Sequence, residues 1–173
     1  TTLARESFKY YKEIKENMTS TITAATMTVT LTESINLNGY DQGSSNTKTI
    51  GAIAEVSKRI VTVTTSEATI ATFGAAIAGG THIIGDVRYM RFTNLDDTNF
   101  ITLTFKNEDN DEVDIKLDAG QSFIWNGDNS AGLANVMDAS QAAPPDGSAG
   151  DLTNILADAD SASCDMEMFI ASV

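Results

Sequence analysis

The chain has 173 residues, a formal charge of −13, 42% apolar residues and a single cysteine, Cys164. That length suits one domain with a real hydrophobic core, and one cysteine excludes both an intrachain disulfide framework and a multi-cysteine metal site. No apolar run approaches the ~20 residues of a membrane-spanning helix, because the most apolar window, 70–84, is interrupted by Gly74, Gly79 and Gly80.

The charge is unevenly placed. Residues 1–92 hold 9 basic and 8 acidic side chains, whereas residues 93–173 hold 2 basic and 16 acidic. An acidic excess of this kind opposes contact with a phosphate backbone, which needs Lys and Arg to displace counterions. Neither a nucleic acid nor a membrane is an expected partner. The excess suits a solvated face that keeps assemblies apart by self-repulsion. The opening Thr1-Thr2-Leu3-Ala4-Arg5 has no apolar stretch of the kind that follows a secretory signal, so synthesis in the cytoplasm is expected.

The first predicted element is a helix over 4–18. Phe8, Tyr11, Ile14 and Met18 recur at three- and four-residue spacing, and Lys12 and Glu16 form an i, i+4 pair. A helix this short does not hold alone in water, so it packs on the body or orders on a partner. Its basic and aromatic residues, Arg5, Phe8, Lys9, Tyr10, Tyr11, Lys12 and Lys15, are the candidate contacts with a neighbouring subunit. Residues 19–173 then read as one β domain. Threonine alternates with apolar residues over 26–32, which suits a half-exposed strand. Residues 36–46, rich in Asn, Gly and Ser, read as a loop. Residues 50–56 fit a strand or a turn of helix, and strands follow over 59–65 and 68–73.

The segment from Asp86 to Trp125 carries the clearest pattern: three strands joined by turns. Val87, Tyr89 and Arg91 alternate with Arg88, Met90 and Phe92; Ile101, Leu103 and Phe105 alternate with Thr102, Thr104 and Lys106; Val113, Ile115 and Leu117 alternate with Asp114, Lys116 and Asp118. Period-two alternation implies one buried and one wet face per strand. Beyond Trp125, residues 131–150 hold both prolines and few bulky side chains and read as a long surface loop. Residues 152–157 suit a short strand, and Cys164, Met166, Met168 and Ile170 share one face of a final strand. The fold class is therefore mainly β, an antiparallel sandwich or jelly roll with an N-terminal helix or arm.

Chemistry is sparse. His82, the only histidine, follows Gly79-Gly80-Thr81, and no nucleophile motif accompanies it. Gly79-Gly80-Thr81 lacks the lysine of a phosphate loop, and no dinucleotide fingerprint is present. Carboxylates crowd 108–118, but the turn lacks a calcium-loop glycine; over 158–169, Ser163 and Phe169 stand where such a loop needs Gly and Glu. No catalytic residue, cofactor or metal is expected. Trp125 and Tyr40 are the only aromatics placed to stack on a sugar, as a carbohydrate-binding module would require.

The run Val87-Arg88-Tyr89-Met90-Arg91-Phe92-Thr93-Asn94-Leu95-Asp96-Asp97-Thr98-Asn99-Phe100-Ile101 resembles a pattern of virion structural proteins from tailed bacteriophages: an aromatic strand, an N-L-D-x-T-N turn and an apolar strand. Leu117-Asp118-Ala119-Gly120-Gln121-Ser122 resembles the L-x-A-G-x-S turn that follows it there. The resemblance covers about 40 residues. It implies a β-sandwich or jelly roll in a non-enzymatic virion subunit. The expected role is a decoration or cement protein, bound as a homo-oligomer to the major capsid protein; a tail- or fibre-associated subunit is the alternative. Asn and Asp also suit these turns on physical grounds, since their side chains bond the backbone of a turn.

Overall fold

A computed structural model describes residues 22–76, 78–125 and 152–173. The predicted helix over 4–18, its candidate contact residues Arg5, Phe8, Lys9, Tyr10, Tyr11, Lys12 and Lys15, and the predicted loop 131–150 lie outside the described residues. The described residues form thirteen strands in chain order: β1 (Ala25–Glu33), β2 (Asn36–Leu37), β3 (Tyr40–Asp41), β4 (Ser44–Ile53), β5 (Glu55–Val63), β6 (Ala68–Gly74), β7 (Thr81–Ile83), β8 (Val87–Asn94), β9 (Ile101–Asn107), β10 (Glu112–Leu117), β11 (Ser122–Trp125), β12 (Leu152–Ala159) and β13 (Cys164–Ser172).

Two sheets form the body. Sheet one runs β10-β9-β12-β6-β7 and sheet two runs β11-β8-β13-β5. Apart from the short β7, which pairs parallel with β6, every pairing in them is antiparallel. From β5 to β13 the chain changes sheet at each step except at the β9–β10 hairpin, if β7 is set aside. These strand orders are those of an eight-stranded jelly roll. The two sheets share one core. Ile101, Leu103, Phe105, Leu152 and Ile155 of sheet one meet Met90, Phe92, Met166, Met168 and Ile170 of sheet two. Phe92 and Phe105 pack edge to face across it, ring centroids 6.5 Å apart.

The alternation over 164–170 is observed: Cys164, Met166, Met168 and Ile170 are all buried on the inner face. The strand is central, paired with β5 on one side and β8 on the other. The expectation of a wet face on β8 needs correction. Met90 and Phe92 point into the core, but Tyr89, on the opposite face, is also buried, as is its neighbour Ala171. The hairpin of β1 and β4 lies over them: Ile50 and Ile53 close a second small core with Tyr89 and Ala171, against Met27, Val29, Phe169 and Val173.

Two further expectations change. Residues 50–56 are not one element: β4 ends at Ile53 and β5 begins at Glu55, with the Ala54 amide donating to the Ser172 carbonyl at 2.9 Å. The expected loop over 36–46 is largely a continuation of the hairpin. Asn38 and Gly39 both take positive φ, 53° and 86°, joining β2 to β3. That pair of left-handed residues matches the twist of the flanking strands, which is why Asn-Gly occurs there.

The N-L-D-D-T-N segment builds the β8–β9 turn. Asn94 is fully buried; its Nδ2 donates to the carbonyls of Asn99 and Leu117, at 2.8 and 3.1 Å, and its Oδ1 accepts the Asp96 amide at 3.0 Å. Asp96 Oδ1 in turn accepts the amides of Thr98 and Asn99. These bonds hold the Asp96 carboxyl below its ordinary value of 3.8. Neighbouring connections are tied into the same end of the jelly roll: the Asn94 amide donates to Gln121, Leu95 to Asp165, Asp160 to Phe100 and Ala159 to Thr64. Glu67, Asp96, Asp97, Asp118 and Asp160 stand on these loops, and Glu108, Asp109 and Asp111 on the β9–β10 turn at the opposite end, so both ends are acidic.

Candidate interaction surface

β1 and β4 pair from Ala25↔Ile53 to Glu33↔Ser44, a ribbon with two distinct faces. On one face the register opposes Thr28 to Thr49, Thr30 to Thr47 and Thr32 to Ser45. The hydroxyls of the last two pairs bond at 3.3 and 3.1 Å, so this face is a ladder of hydroxyl groups turned to water. On the other face Met27 and Val29 pack on the outer side of sheet two, where Tyr89 and Phe169 meet edge on at 5.8 Å. The next side chain on that face, Leu31, is 52% exposed. Every residue from Thr30 to Thr47 is exposed except Gly43. The distal hairpin displays Ile35, Leu37 and Tyr40, at 53%, 58% and 73% exposure. Its tip is locally fixed. The Gly39 amide donates to Asn36 Oδ1 and the Gly43 amide to Asp41 Oδ1, at 3.0 and 2.8 Å. A β-carbon at Gly43 would lie 2.6 Å from the Glu33 carbonyl oxygen, so glycine alone fits there.

Beside the docked base, the outer face of sheet two carries an ion cluster. Glu167 bonds Arg91 and lies 3.2 Å from Lys58, and Arg91 also donates to the Thr93 hydroxyl. Hydrogen bonds from Arg91 and then Lys58 hold the Glu167 carboxyl below its ordinary value. Val56, Ile60 and Ile124 are exposed around this cluster.

A polar cleft of about 350 Å³ lies at the edge where β5 faces β7. Glu55, Arg59, Thr81, His82, Asp86 and Ser172 contribute to its lining. His82 rests on Phe73, ring centroids 5.7 Å apart. Burial lowers its pKa from 6.5; Glu55 works in the opposite direction and Arg59 reinforces the shift. Arg59 is engaged by the Ile70 carbonyl. Among the described residues no hydrogen bond joins His82 to Ser57 or Ser172, so no nucleophile–base pair is assembled. Nor, among them, does any group of three or more His, Cys, Asp or Glu side chains gather to hold a metal. The Cys164 thiol is fully buried and donates weakly to the Ala162 carbonyl; burial, then Asp96 and Asp160, raise its pKa. Trp125 packs half-buried on the main core, which leaves Tyr40 as the exposed aromatic of the two candidates for sugar stacking.

The distal hairpin is the surface that sequence reasoning missed. Its signal was present in the threonine alternation and in Asn38-Gly39, but the polar composition of 36–46 reads as loop because hydroxyl pairs, not burial, hold the strands together. No described helix is long and apolar enough to cross a membrane. Comparison of the chain with protein-family models, with curated proteins and with solved structures finds no match.

Proposed function

We propose that this chain is a non-enzymatic structural subunit of a phage virion, a decoration or cement protein that binds the head surface through contact with the major capsid protein. The observation that carries the reading is the distal hairpin. A two-stranded ribbon is marginal by itself in water, yet this one holds four large apolar side chains, Leu31, Ile35, Leu37 and Tyr40, away from its own core. Such a projection is a contact element awaiting a surface. Support also comes from the motif over 87–101 and from the jelly roll, an architecture shared by capsid proteins and lectins and therefore no guide to function alone. The acidic excess suits the solvent-facing surface of a crowded particle.

A tail- or fibre-associated subunit would use the same hairpin. Quantitative mass spectrometry and antibody labelling of purified virions separate the two roles. A head protein is expected in a copy number that scales with the capsid lattice, with label spread over the head. A few copies at the tail would replace the decoration reading by the alternative, and absence from virions would remove both.

A further inference from the structure

We infer that the distal hairpin is an intersubunit arm whose apolar side seats on the exposed outer face of sheet two in a second copy of this chain. The inference rests on the reading of the hairpin as a contact element and gives it a second copy as its direct partner, so that the oligomer the hairpin builds is what the capsid surface binds.

The first support is continuity. Met27, Val29 and Leu31 share one face of β1, because strand side chains alternate. Met27 and Val29 rest on the outer face of sheet two, and Leu31 is the same stripe carried past the end of that support. The surface that suits two members of the stripe suits the third. The second support is that the same outer face continues beside the docked base and, among the described residues, stays exposed. Register sets Val56, Lys58 and Ile60 of β5 beside Ala171, Phe169 and Glu167, and Ile124 of β11 beside Arg91. Val56, Ile60 and Ile124 are all exposed, Ile60 the most at 63%.

Charge selects between the surfaces of a neighbouring copy. A chain at −13 repels itself, so copies meet favourably only where acid is not in excess. Residues 30–47 carry Glu33 and Asp41 and no basic side chain. On the outer face two cations, Lys58 and Arg91, stand with two carboxylates, Glu167 and Asp165, the latter bonded to Thr62, so the face carries no excess acid. Elsewhere Lys106 and Lys116 each have a carboxylate of their own, Glu112 and Asp118. The face around Ile60 is therefore an apolar seat for the arm without excess acid. Arm and face are different surfaces, so the contact is heterologous and closes into a ring when its rotation allows.

Light scattering on the full chain tests this with two exposed-site variants, Leu31→Asp on the arm and Ile60→Asp on the face, both checked for an unchanged far-ultraviolet spectrum. Wild type is expected as a closed oligomer. Each variant is expected to weaken association by at least about tenfold. An equimolar mixture of the two is expected to form a one-to-one pair, since one chain keeps its arm and the other its face. A monomeric wild type, variants of unchanged mass, or a mixture that stays monomeric each overturns the inference. A monomeric wild type that still binds capsids through the hairpin leaves the contact role standing with a foreign partner, whereas loss of both removes both.

Discussion

Asn94 shows how much of this molecule turns on single satisfied polar groups. It is buried without exposure and spends its amide on two carbonyls from different connections, those of Asn99 and Leu117. Asn94→Leu keeps the volume but leaves both carbonyls bare, and each is expected to cost about 1–3 kcal/mol, read from the urea midpoint. Titration follows from the same turn. The Asp96 carboxyl is lowered by the amides of Asn99 and Thr98, so the folded state binds its proton more weakly than the unfolded chain. Its contribution is present above the unfolded value of 3.8 and is lost as the pH falls through the lower folded value. His82 also loses stability on acidification, but in a higher window. Its imidazole is held neutral by burial, so the penalty sets in as the pH drops below 6.5. Thermal melts between pH 7 and pH 3 should therefore show that His82→Gln flattens the upper part of the acid decline and Asp96→Asn the lower part. Unchanged profiles in both variants would contradict these assignments.

At the scale of elements, the hairpin and the jelly roll should respond independently. Gly43→Ala drives a β-carbon into the Glu33 carbonyl and must distort the ribbon, but the ribbon meets the body only through the small cluster around Ile50 and Tyr89. The expected outcome is faster amide exchange over 30–47 with a melting temperature close to wild type. Phe92→Ala, by contrast, empties the centre of the main core and should cost about 3–5 kcal/mol. The difference in legibility between these elements has the same origin. Strands β8, β9 and β13 announce themselves by apolar alternation because burial in the core selects them; on β10 the alternation overstates burial, since Val113 is 53% exposed. The hairpin beyond Val29 is held by hydroxyl pairs and an Asn-Gly turn, so its residues look like a loop. The wet face expected on β8 failed for a different reason: alternation reports what a strand presents, and nothing local reveals that the distant hairpin of β1 and β4 covers Tyr89.

For the whole molecule, β13 lies between β5 and β8 and holds sheet two together. Cys164 pairs with Val63 and Met166 with Asn94, so β13 joins elements distant in sequence. The sequence makes the mainly β, sandwich-or-jelly-roll class readable, but strand order is set by which edges meet across such distances, and no local pattern encodes that. Topologies dominated by long-range pairing fold in milliseconds to seconds, and a chain ending at Ser163 is expected not to fold, judged by loss of its β spectrum. The acidic loop end predicts a second whole-molecule property: added salt screens the repulsion among Glu67, Asp96, Asp97, Asp118 and Asp160 and should raise the melting temperature.

The most direct measurement is co-sedimentation of the full chain with capsids that lack it, beside a variant in which residues 31–46 are replaced by a two-residue Asn-Gly turn. The shortened chain keeps the jelly roll and loses only the projecting hairpin. Wild type is expected to pellet with the capsids in a fixed ratio while the shortened chain stays in the supernatant. Equal pelleting of the two would contradict the hairpin's role as the contact element, and failure of wild type to pellet would contradict the head-binding function itself.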